Sequence, residues 1–257
     1  MIQNANDSKP EACRLIMYVD RHRSLLYFPF RCNAPDFGSN KSAKMKRTSF
    51  HRMVITGIYY ALGLIAGGLA AGYLMKPAWG IPFYLLAAFC LNFFRDPDRA
   101  IPSGPIAVSP ADGKVVSVKE MGGGQTRVAI FMNVFDVHVN RSPIAGTIRD
   151  IQYQRGKFLN ASYEEAGTEN EQNRFTVEGE DGTKVVFTQI AGLIARRIIS
   201  YKKPGETVEA GERIGLIKFG SRVDVFFGPE WTIGVQPGQT VSAGSSILAS
   251  RRPKGSK

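Results

Sequence analysis

The stretch Lys203-Pro-Gly-Glu-Thr-Val-Glu-Ala-Gly-Glu-Arg-Ile-Gly is followed roughly 32 residues later by a similar one, Val235-Gln-Pro-Gly-Gln-Thr-Val-Ser-Ala-Gly-Ser-Ser-Ile. Each combines a Pro-Gly pair, a Thr-Val pair and an Ala-Gly pair, and proline and glycine at such places are typical of tight turns between short strands. Similar β-type runs, broken by Gly, Pro, Asp and Asn, extend back to Ile101. The pattern predicts a mainly β (α+β) domain over residues 96–257, built as a sandwich or half-open barrel.

The two stretches also resemble the Pro-Gly and Ala-Gly turn of lipoyl and biotinyl domains, which implies a barrel-sandwich arrangement. A carrier function would require a lysine at an exposed hairpin tip with the usual Met or Asp neighbours, and no lysine of this chain has them. The β-type runs predict strands at residues 114–118, 127–131, 134–139, 183–189, 213–218, 223–227 and 231–235.

An apolar region precedes the β domain. Between Arg52 and Lys76 about 23 consecutive residues are uncharged, and at 1.5 Å per residue they reach roughly 35 Å, enough for a bilayer core of about 30 Å. A shorter apolar run follows at residues 78–94. Glycines that would let two helices approach closely recur along the first run: Gly63, Gly67, Gly68 and Gly72. We therefore predict a hydrophobic helical hairpin over residues 51–95 that enters the membrane, with a buried hairpin of a soluble protein as the alternative.

The charge distribution favours an anionic partner. The chain has 33 Lys and Arg against 22 Asp and Glu, a formal net charge of +11, which suits nucleic acid or a phospholipid surface. Residues 1–50 form a polar, basic N-terminal extension, and the working protein begins at either Met1 or Met45. Basic residues flank both ends of the hairpin, so the positive-inside rule places the β domain on the cytoplasmic face of the cell membrane. The three cysteines contain no C-x-x-C pair, so we expect neither a disulfide framework nor a metal site.

Three segments carry residues capable of nucleophilic or acid–base chemistry. They are Ser109-Pro-Ala-Asp-Gly-Lys, Phe135-Asp-Val-His-Val-Asn-Arg-Ser-Pro and Lys218-Phe-Gly-Ser-Arg-Val-Asp-Val. Taken alone, Asp112 fits a hairpin turn, His138 the solvated face of a strand, and the pair Gly220 and Ser221 a bulge. Together they supply a serine, a histidine and an aspartate, a set that is recognised by geometry rather than by chain order.

Five motifs, in order, resemble the shorter bacterial and archaeal branch of the phosphatidylserine decarboxylase family. They are Phe94-Arg-Asp-Pro-Asp-Arg-Ala-Ile-Pro, Ser109-Pro-Ala-Asp-Gly-Lys, Asn133-Val-Phe-Asp-Val-His-Val-Asn-Arg-Ser-Pro, Gln189-Ile-Ala-Gly-Leu-Ile-Ala-Arg-Arg-Ile and Gly215-Leu-Ile-Lys-Phe-Gly-Ser-Arg-Val-Asp. The long branch of the family carries Leu-Gly-Ser-Thr at its processing site, whereas Phe219 and Arg222 flank Gly220 and Ser221 here. The long branch also has a second histidine near the first, which this chain lacks.

The resemblance implies a proenzyme that makes its own pyruvoyl cofactor. Ser221 would attack the carbonyl of Gly220, with His138 as general base and Asp112 orienting it, and the chain would be cut between residues 220 and 221. The pyruvoyl group formed from Ser221 would take the amine of phosphatidylserine as a Schiff base, carbon dioxide would leave, and His138 would return the proton, giving phosphatidylethanolamine. Asp136 is the next candidate for the base.

The resemblance also implies the partners: phosphatidylserine, an anionic membrane surface, and α and β chains that stay associated after the cut. No nucleic-acid partner is expected, and a homo-oligomer stays open. Arg141, Arg196 and Arg197 are candidates for contact with phosphate or carboxylate. Two alternatives remain, a membrane-anchored hydrolase that uses the same serine, histidine and aspartate without self-cleavage, and a barrel-sandwich adaptor of a transport or secretion assembly.

Overall fold

The computed structural model describes residues 48–193, 197–218 and 220–251. The helical part comes first. Helix α1 covers Thr48–Leu74 and helix α2 covers Ile81–Phe93, and a short 3₁₀ turn at Pro77–Gly80 joins them. The predicted helical hairpin is therefore present, while the predicted extension over residues 1–50 lies almost entirely outside the described residues.

Of the four glycines named above, Gly68 lies nearest to the facing helix. A Cβ atom added to Gly68 would lie 2.7 Å from a ring carbon of Tyr84, whereas one added to Gly63 would meet open space. The glycine prediction is thus confirmed at Gly68 and wrong at Gly63. The segment Ile55–Leu74 is long and apolar enough to cross a membrane, with a mean hydropathy of 1.5, and 17% of it is buried inside the protein.

The remaining described chain is built mainly of strands, with a one-turn helix, α3, at Ala166–Glu169. The strands are β1 Ile106–Val108, β2 Gly113–Glu120, β3 Thr126–Met132, β4 Val139–Arg141, β5 Gly146–Gln154, β6 Gln172–Glu178, β7 Lys184–Ile190, β8 Ile198–Ser200, β9 Thr207–Val208, β10 Arg213–Ile217, β11 Ser221–Phe227, β12 Trp231–Ile233, β13 Thr240–Val241 and β14 Ile247–Arg251. The mainly β fold class is confirmed.

The strands form one large antiparallel sheet and two small ones. The large sheet has the order β13-β2-β3-β11-β7-β6-β5-β9, and the small sheets have the orders β1-β14-β12 and β4-β10-β8. The first turn repeat of the sequence forms β9 and β10, and the second forms β13 and β14. Of these strands, β9 and β13 lie at opposite edges of the large sheet. Apolar side chains such as Val128, Phe187 and Val225 are fully buried in a core that both kinds of sheet enclose.

The β domain is an internal duplication with approximate two-fold symmetry. The backbone N–H of Val108 donates to the carbonyl of Pro143, and that of Arg141 donates to the carbonyl of Pro110, both at 2.9 Å. In this relation β2 corresponds to β5, β3 to β6, and β11 to β7. The symmetry axis therefore passes between β11 and β7, the two central strands.

One predicted strand is wrong, and the error concerns a site residue. Residues 134–139 were expected to alternate along a strand, but only Val139 of this run belongs to one, because β4 begins there. Asp136 bonds back onto the backbone N–H of Asn133 at 2.8 Å and closes a turn, a local side-chain bond that competes with the strand ladder. His138 consequently follows a turn and is fully buried rather than solvated.

Candidate active site

The proposed cleavage site lies at the start of the central strand β11. Ser221 is fully buried and stands opposite Met132 of β3, and its hydroxyl donates to the Met132 sulfur at 3.4 Å. A thioether is a weak acceptor, so the hydroxyl is not held by a strong partner. Gly220 precedes it with φ of +61°, a left-handed conformation that side chains disfavour. Gly220 therefore sets the backbone conformation before this peptide, and the Ser221 hydroxyl after it has only a weak hydrogen-bond acceptor.

A second glycine makes room for the carbonyl of Gly220. A Cβ atom added to Gly192, just beyond β7, would lie 2.0 Å from the Gly220 oxygen. Real side chains do not approach an oxygen so closely, so a residue with a side chain at this position would displace the carbonyl. Gly192 thus leaves space on the side where the oxygen of an attacked carbonyl would carry charge.

His138 contacts Gly220 on its N-terminal side, through the backbone amide. Its Nε2 accepts a hydrogen bond from the backbone N–H of Gly220 at 3.3 Å, and its Nδ1 lies 2.9 Å from the carbonyl oxygen of Asp136. A carbonyl can only accept and an N–H can only donate, so the proton of the neutral ring is on Nδ1. The lone pair of Nε2 is therefore directed at the amide nitrogen of Gly220, one peptide before the Gly220–Ser221 bond that is the candidate for cleavage.

The surroundings of His138 keep the ring neutral. Burial lowers its pKa from 6.5 to about 4, while the bond to the Asp136 carbonyl opposes the shift. The more distant charges of Arg95 and Asp112 lower and raise this pKa, respectively. Phe93, the last residue of α2, covers the imidazole with its ring centroid 4.4 Å away. A neutral ring is the form that can accept a proton.

Asp112 does not bond to His138. One carboxylate oxygen accepts from the guanidinium of Arg99 at 2.7 Å, and the other accepts from the backbone N–H of Ala243, also at 2.7 Å. Its influence on His138 is electrostatic, because the Asp112 charge raises the histidine's pKa across space. That Asp112 orients His138 therefore stays a prediction. The carbonyl of Asp136 is the group that hydrogen-bonds to Nδ1 of the ring.

The three arginines predicted to meet phosphate have different positions. Arg141 is buried and ion-paired with Asp96 at 2.8 Å, and Asp96 also pairs with Arg213. This guanidinium is already satisfied inside the protein, so its predicted contact with substrate is not supported. Arg197 is exposed, and Arg196 lies outside the described residues.

The internal symmetry shows that the candidate residues are not all repeated in the second half of the β domain. Gly182, with φ of +80°, and Thr183 stand before β7 just as Gly220 and Ser221 stand at the start of β11. His138 precedes β4, and the corresponding residue before β1 is Pro105. Asp112 precedes β2, and the corresponding residue before β5 is Ala145. The second half thus repeats the glycine and the hydroxyl but neither the base nor the carboxylate. A cavity of about 530 Å³ lies at this related position, lined by Pro105, Ala145, Thr183 and Arg251 among others.

Sequence reasoning missed several neighbours of the site, although most of them lie inside its motifs. Asp96 and Arg99 belong to the Phe94 motif, and Gly192 to the Gln189 motif. Phe93 gave no signal beyond apolarity. Among the described residues no group of three or more His, Cys, Asp or Glu side chains could hold a metal ion.

A buried serine follows a left-handed glycine whose backbone N–H donates to a neutral imidazole, and serine with a nearby imidazole is a combination that enzymes use for nucleophilic catalysis, which favours an enzyme over an adaptor. The sequence profile of the phosphatidylserine decarboxylase family matches residues 86–249. Phosphatidylserine decarboxylase proenzymes are similar over much of their length. That of Solibacter usitatus is 66% identical over 200 residues, 78% of this chain and 97% of the relative. Those of Nitratidesulfovibrio vulgaris and Novosphingobium aromaticivorans are 49% and 46% identical over 67% and 73% of this chain, and 82% of each relative. The chain belongs to the phosphatidylserine decarboxylase family.

Proposed function

We propose that this protein is a membrane-bound phosphatidylserine decarboxylase that converts its own Ser221 into a pyruvoyl group by cutting the chain after Gly220. The observation that carries the proposal is the 3.3 Å contact between His138 Nε2 and the backbone nitrogen of Gly220. It supports the proposal because it brings a neutral imidazole to the residue whose carbonyl would be attacked, one peptide before the bond that would break.

The cut would begin with acyl transfer from nitrogen to oxygen. The Ser221 hydroxyl adds to the Gly220 carbonyl carbon while His138 takes its proton, and the C–N bond then breaks as that proton passes to the departing nitrogen. The resulting ester opens by β-elimination. The α-proton of residue 221 is removed, the Cβ–Oγ bond breaks, and Gly220 leaves as a carboxylate. One water molecule then hydrolyses the dehydroalanine, releasing ammonia and leaving a pyruvoyl group at residue 221.

The residues present fit this cofactor because it derives from the chain itself. Gly192 leaves space around the reacting carbonyl, Gly220 adopts the left-handed backbone that a side chain would disfavour, and Ser221 is not committed to a strong acceptor. The pyruvoyl ketone supplies an electron sink for decarboxylation of an amine-bearing substrate. The buried His138 is the candidate for returning a proton to the substrate's α-carbon after carbon dioxide leaves.

The two chains made by the cut would remain associated through the sheets. The fragment from residue 221 onward contributes β11, β12, β13 and β14. In the large sheet β11 pairs with β3 on one side and β7 on the other, and β13 pairs with β2. In a small sheet β14 pairs with β1. Separating the fragments would break ladders in two sheets at once.

The hairpin would place this site at an anionic lipid surface. The ammonium of Lys218 lies over the rings of Tyr60 and Phe94, 5.9 and 5.8 Å from their centroids, at the junction of hairpin and β domain. Among the described residues it forms no ion pair, so it remains available to a lipid phosphate. Exposed Arg197 lies nearby, because its carbonyl accepts a bond from the Lys218 backbone N–H. The cytoplasmic location follows from the basic residues at both hairpin ends.

A denaturing gel tests the proposal. Wild-type protein should separate into a long fragment and one of 37 residues, from 221 to 257, whose N-terminus reacts with carbonyl reagents. Ser221→Ala should stay uncut and inactive. A wild-type chain that stays intact yet active would refute the pyruvoyl proposal and favour a serine hydrolase that uses the same residues.

A further inference from the structure

Cutting the chain after Gly220 would leave the first residue of β11 weakly held. Ser221 pairs with Met132 of β3, whereas the pairing with β7 starts one residue later, at Arg222 opposite Ile190. A chain end that pairs on one side tends to fray. The reactive group at residue 221 therefore needs another means of staying in register.

Arg222, the next residue, is held unusually firmly. It is 1% exposed and the largest fully buried side chain described. Its Nε and Nη2 donate to the two carboxylate oxygens of Asp224 at 2.6 and 2.7 Å. Its Nη1 donates to the carbonyl of Tyr163 at 2.8 Å and, more weakly, to that of Ala161 at 3.5 Å. A bidentate arginine fixes position and orientation together, which lysine cannot do.

These contacts lie behind the sheet, away from the reacting atoms. Side chains alternate along a strand, so Ser221 and Val223 point into the core while Arg222 and Asp224 point to the opposite face. That face is covered by residues 155–171, the connection between β5 and β6. Glu164 in this segment fastens it to Arg127 of β3, with both carboxylate oxygens 2.6 Å from one guanidinium nitrogen.

The internal symmetry shows that the fold itself does not require this arrangement. The residue corresponding to Arg222 in β7 is Lys184, whose side chain is 62% exposed and 3.7 Å from Glu178. The connection corresponding to 155–171 is the short turn between β2 and β3, residues 121–125. The buried arginine thus occurs on the half that carries the proposed cut, and the segment that covers it comes from the other half, between β5 and β6.

We propose that Arg222 is a positioning residue, which holds the N-terminus of the smaller chain in place after the cut by fastening β11 to the segment 155–171 through the carbonyls of Tyr163 and Ala161, while Asp224 of the same strand orients its guanidinium. The inference rests on the proposed function. A buried ion pair is costly to desolvate and often adds little stability, but this one fixes the direction of the guanidinium, whose remaining bonds to the segment 155–171 can specify the position of the strand. Before the cut, the peptide bond to Gly220 also holds residue 221 in place, so the contacts of Arg222 matter most in the processed enzyme.

The test compares Arg222→Lys in the processed protein and in an uncut Ser221→Ala background. Hydrogen exchange at the first amides of β11 should accelerate at least about tenfold in the processed variant and less than about twofold in the uncut one. The processed variant should lose about tenfold in kcat with KM unchanged, because residue 221 is misplaced. Arg174→Lys is the matched control, since Arg174 is an exposed arginine of β6 in the same cross-strand row as Asp224; it should change neither measurement.

Equal acceleration in cut and uncut proteins, or an unchanged kcat, would overturn the inference while leaving the proposed function intact. A wild-type chain that is never cut would overturn both. Should Arg222→Lys fail to fold or to be cut, Glu164→Gln replaces it, because this exposed carboxylate anchors the covering segment. The same cut-dependent acceleration, smaller in size, is expected there, and its absence overturns the inference.

Discussion

Phe93, the last residue of helix α2, lies against the imidazole of His138, with ring centroids 4.4 Å apart and ring planes inclined by 34°. The hairpin therefore does more than anchor the protein, because Phe93 at the end of α2 covers His138, the proposed base. Phe93, Phe94, Val137, Val139 and Leu216 form one buried apolar cluster. Changes in the hairpin that reach Phe93 should consequently act on chemistry as well as on location.

The buried histidine predicts that stability depends on pH. Its pKa is about 4 in the folded protein and about 6.5 when unfolded, so between these values the unfolded chain binds the extra proton. Stability should therefore be complete above pH 6.5 and fall by about 3 kcal/mol as pH drops to 4. Urea unfolding of uncut Ser221→Ala protein measures the slope. His138→Gln in that background should flatten it, and an equal slope in both proteins would assign the effect to other groups.

His138 should be required for the cut, and Asp112 should assist it. His138→Ala removes the proton acceptor, so the chain should stay uncut over hours, as expected when a base that contributes about 100-fold or more is lost. Asp112→Asn removes a distant charge, while the amide still offers an oxygen to Arg99 or Ala243, so cutting should slow about tenfold, the equivalent of one pKa unit. Gel time courses of freshly folded chains give both rates. Normal cutting in His138→Ala would transfer the role to Asp136.

Gly192→Ala should block the cut without unfolding the protein. The new methyl carbon would start 2.0 Å from the Gly220 oxygen, so the carbonyl must shift away from its attacked position. The matched control is Gly234→Ala, where the nearest atom to an added Cβ is a carbonyl oxygen at 3.8 Å, an ordinary contact. We expect the Gly192→Ala chain to stay uncut and the Gly234→Ala chain to be cut, with matching circular dichroism spectra. Cutting of Gly192→Ala at the wild-type rate would contradict the role given to this glycine.

Local patterns revealed much of the fold and less of the site. The turn repeats and the apolar run carry their signals in consecutive residues, so strands such as β3 and the helices α1 and α2 were predictable. The turn before His138 was not, because a single bond from Asp136 to Asn133 overrides the alternation of the surrounding residues. The partners of Asp112 were also hidden. Arg99 and Ala243 are distant in sequence from one another, and the tertiary fold alone brings them to the same carboxylate.

The hairpin should hold the protein in the membrane through its outward-facing side chains. Leu62 and Leu69 of α1 are 56% and 62% exposed, so lysine at both positions would face lipid at a cost of about 2.5–3.5 kcal/mol each near the bilayer centre. Leu62→Lys with Leu69→Lys should release the protein into the soluble fraction while leaving the cut intact, because neither residue reaches Phe93. The same pair changed to Ala is the control and should stay in the membrane pellet. A lysine variant that pellets like the control would contradict membrane insertion of α1.

The substrate should be the lipid rather than its free head group. The proposed cofactor needs a primary amine beside the departing carboxylate, and both phosphatidylserine and free serine provide one. Free serine lacks the phosphate that we propose Lys218 binds, and it lacks the concentration at a surface that orients the reacting bond. Processed protein should therefore release carbon dioxide from phosphatidylserine vesicles at least about 100-fold faster than from equimolar serine. Lys218→Gln should raise KM for the lipid, leave kcat nearly unchanged, and not alter the slow reaction with serine. Equal rates with the two substrates would identify a soluble amino-acid decarboxylase instead.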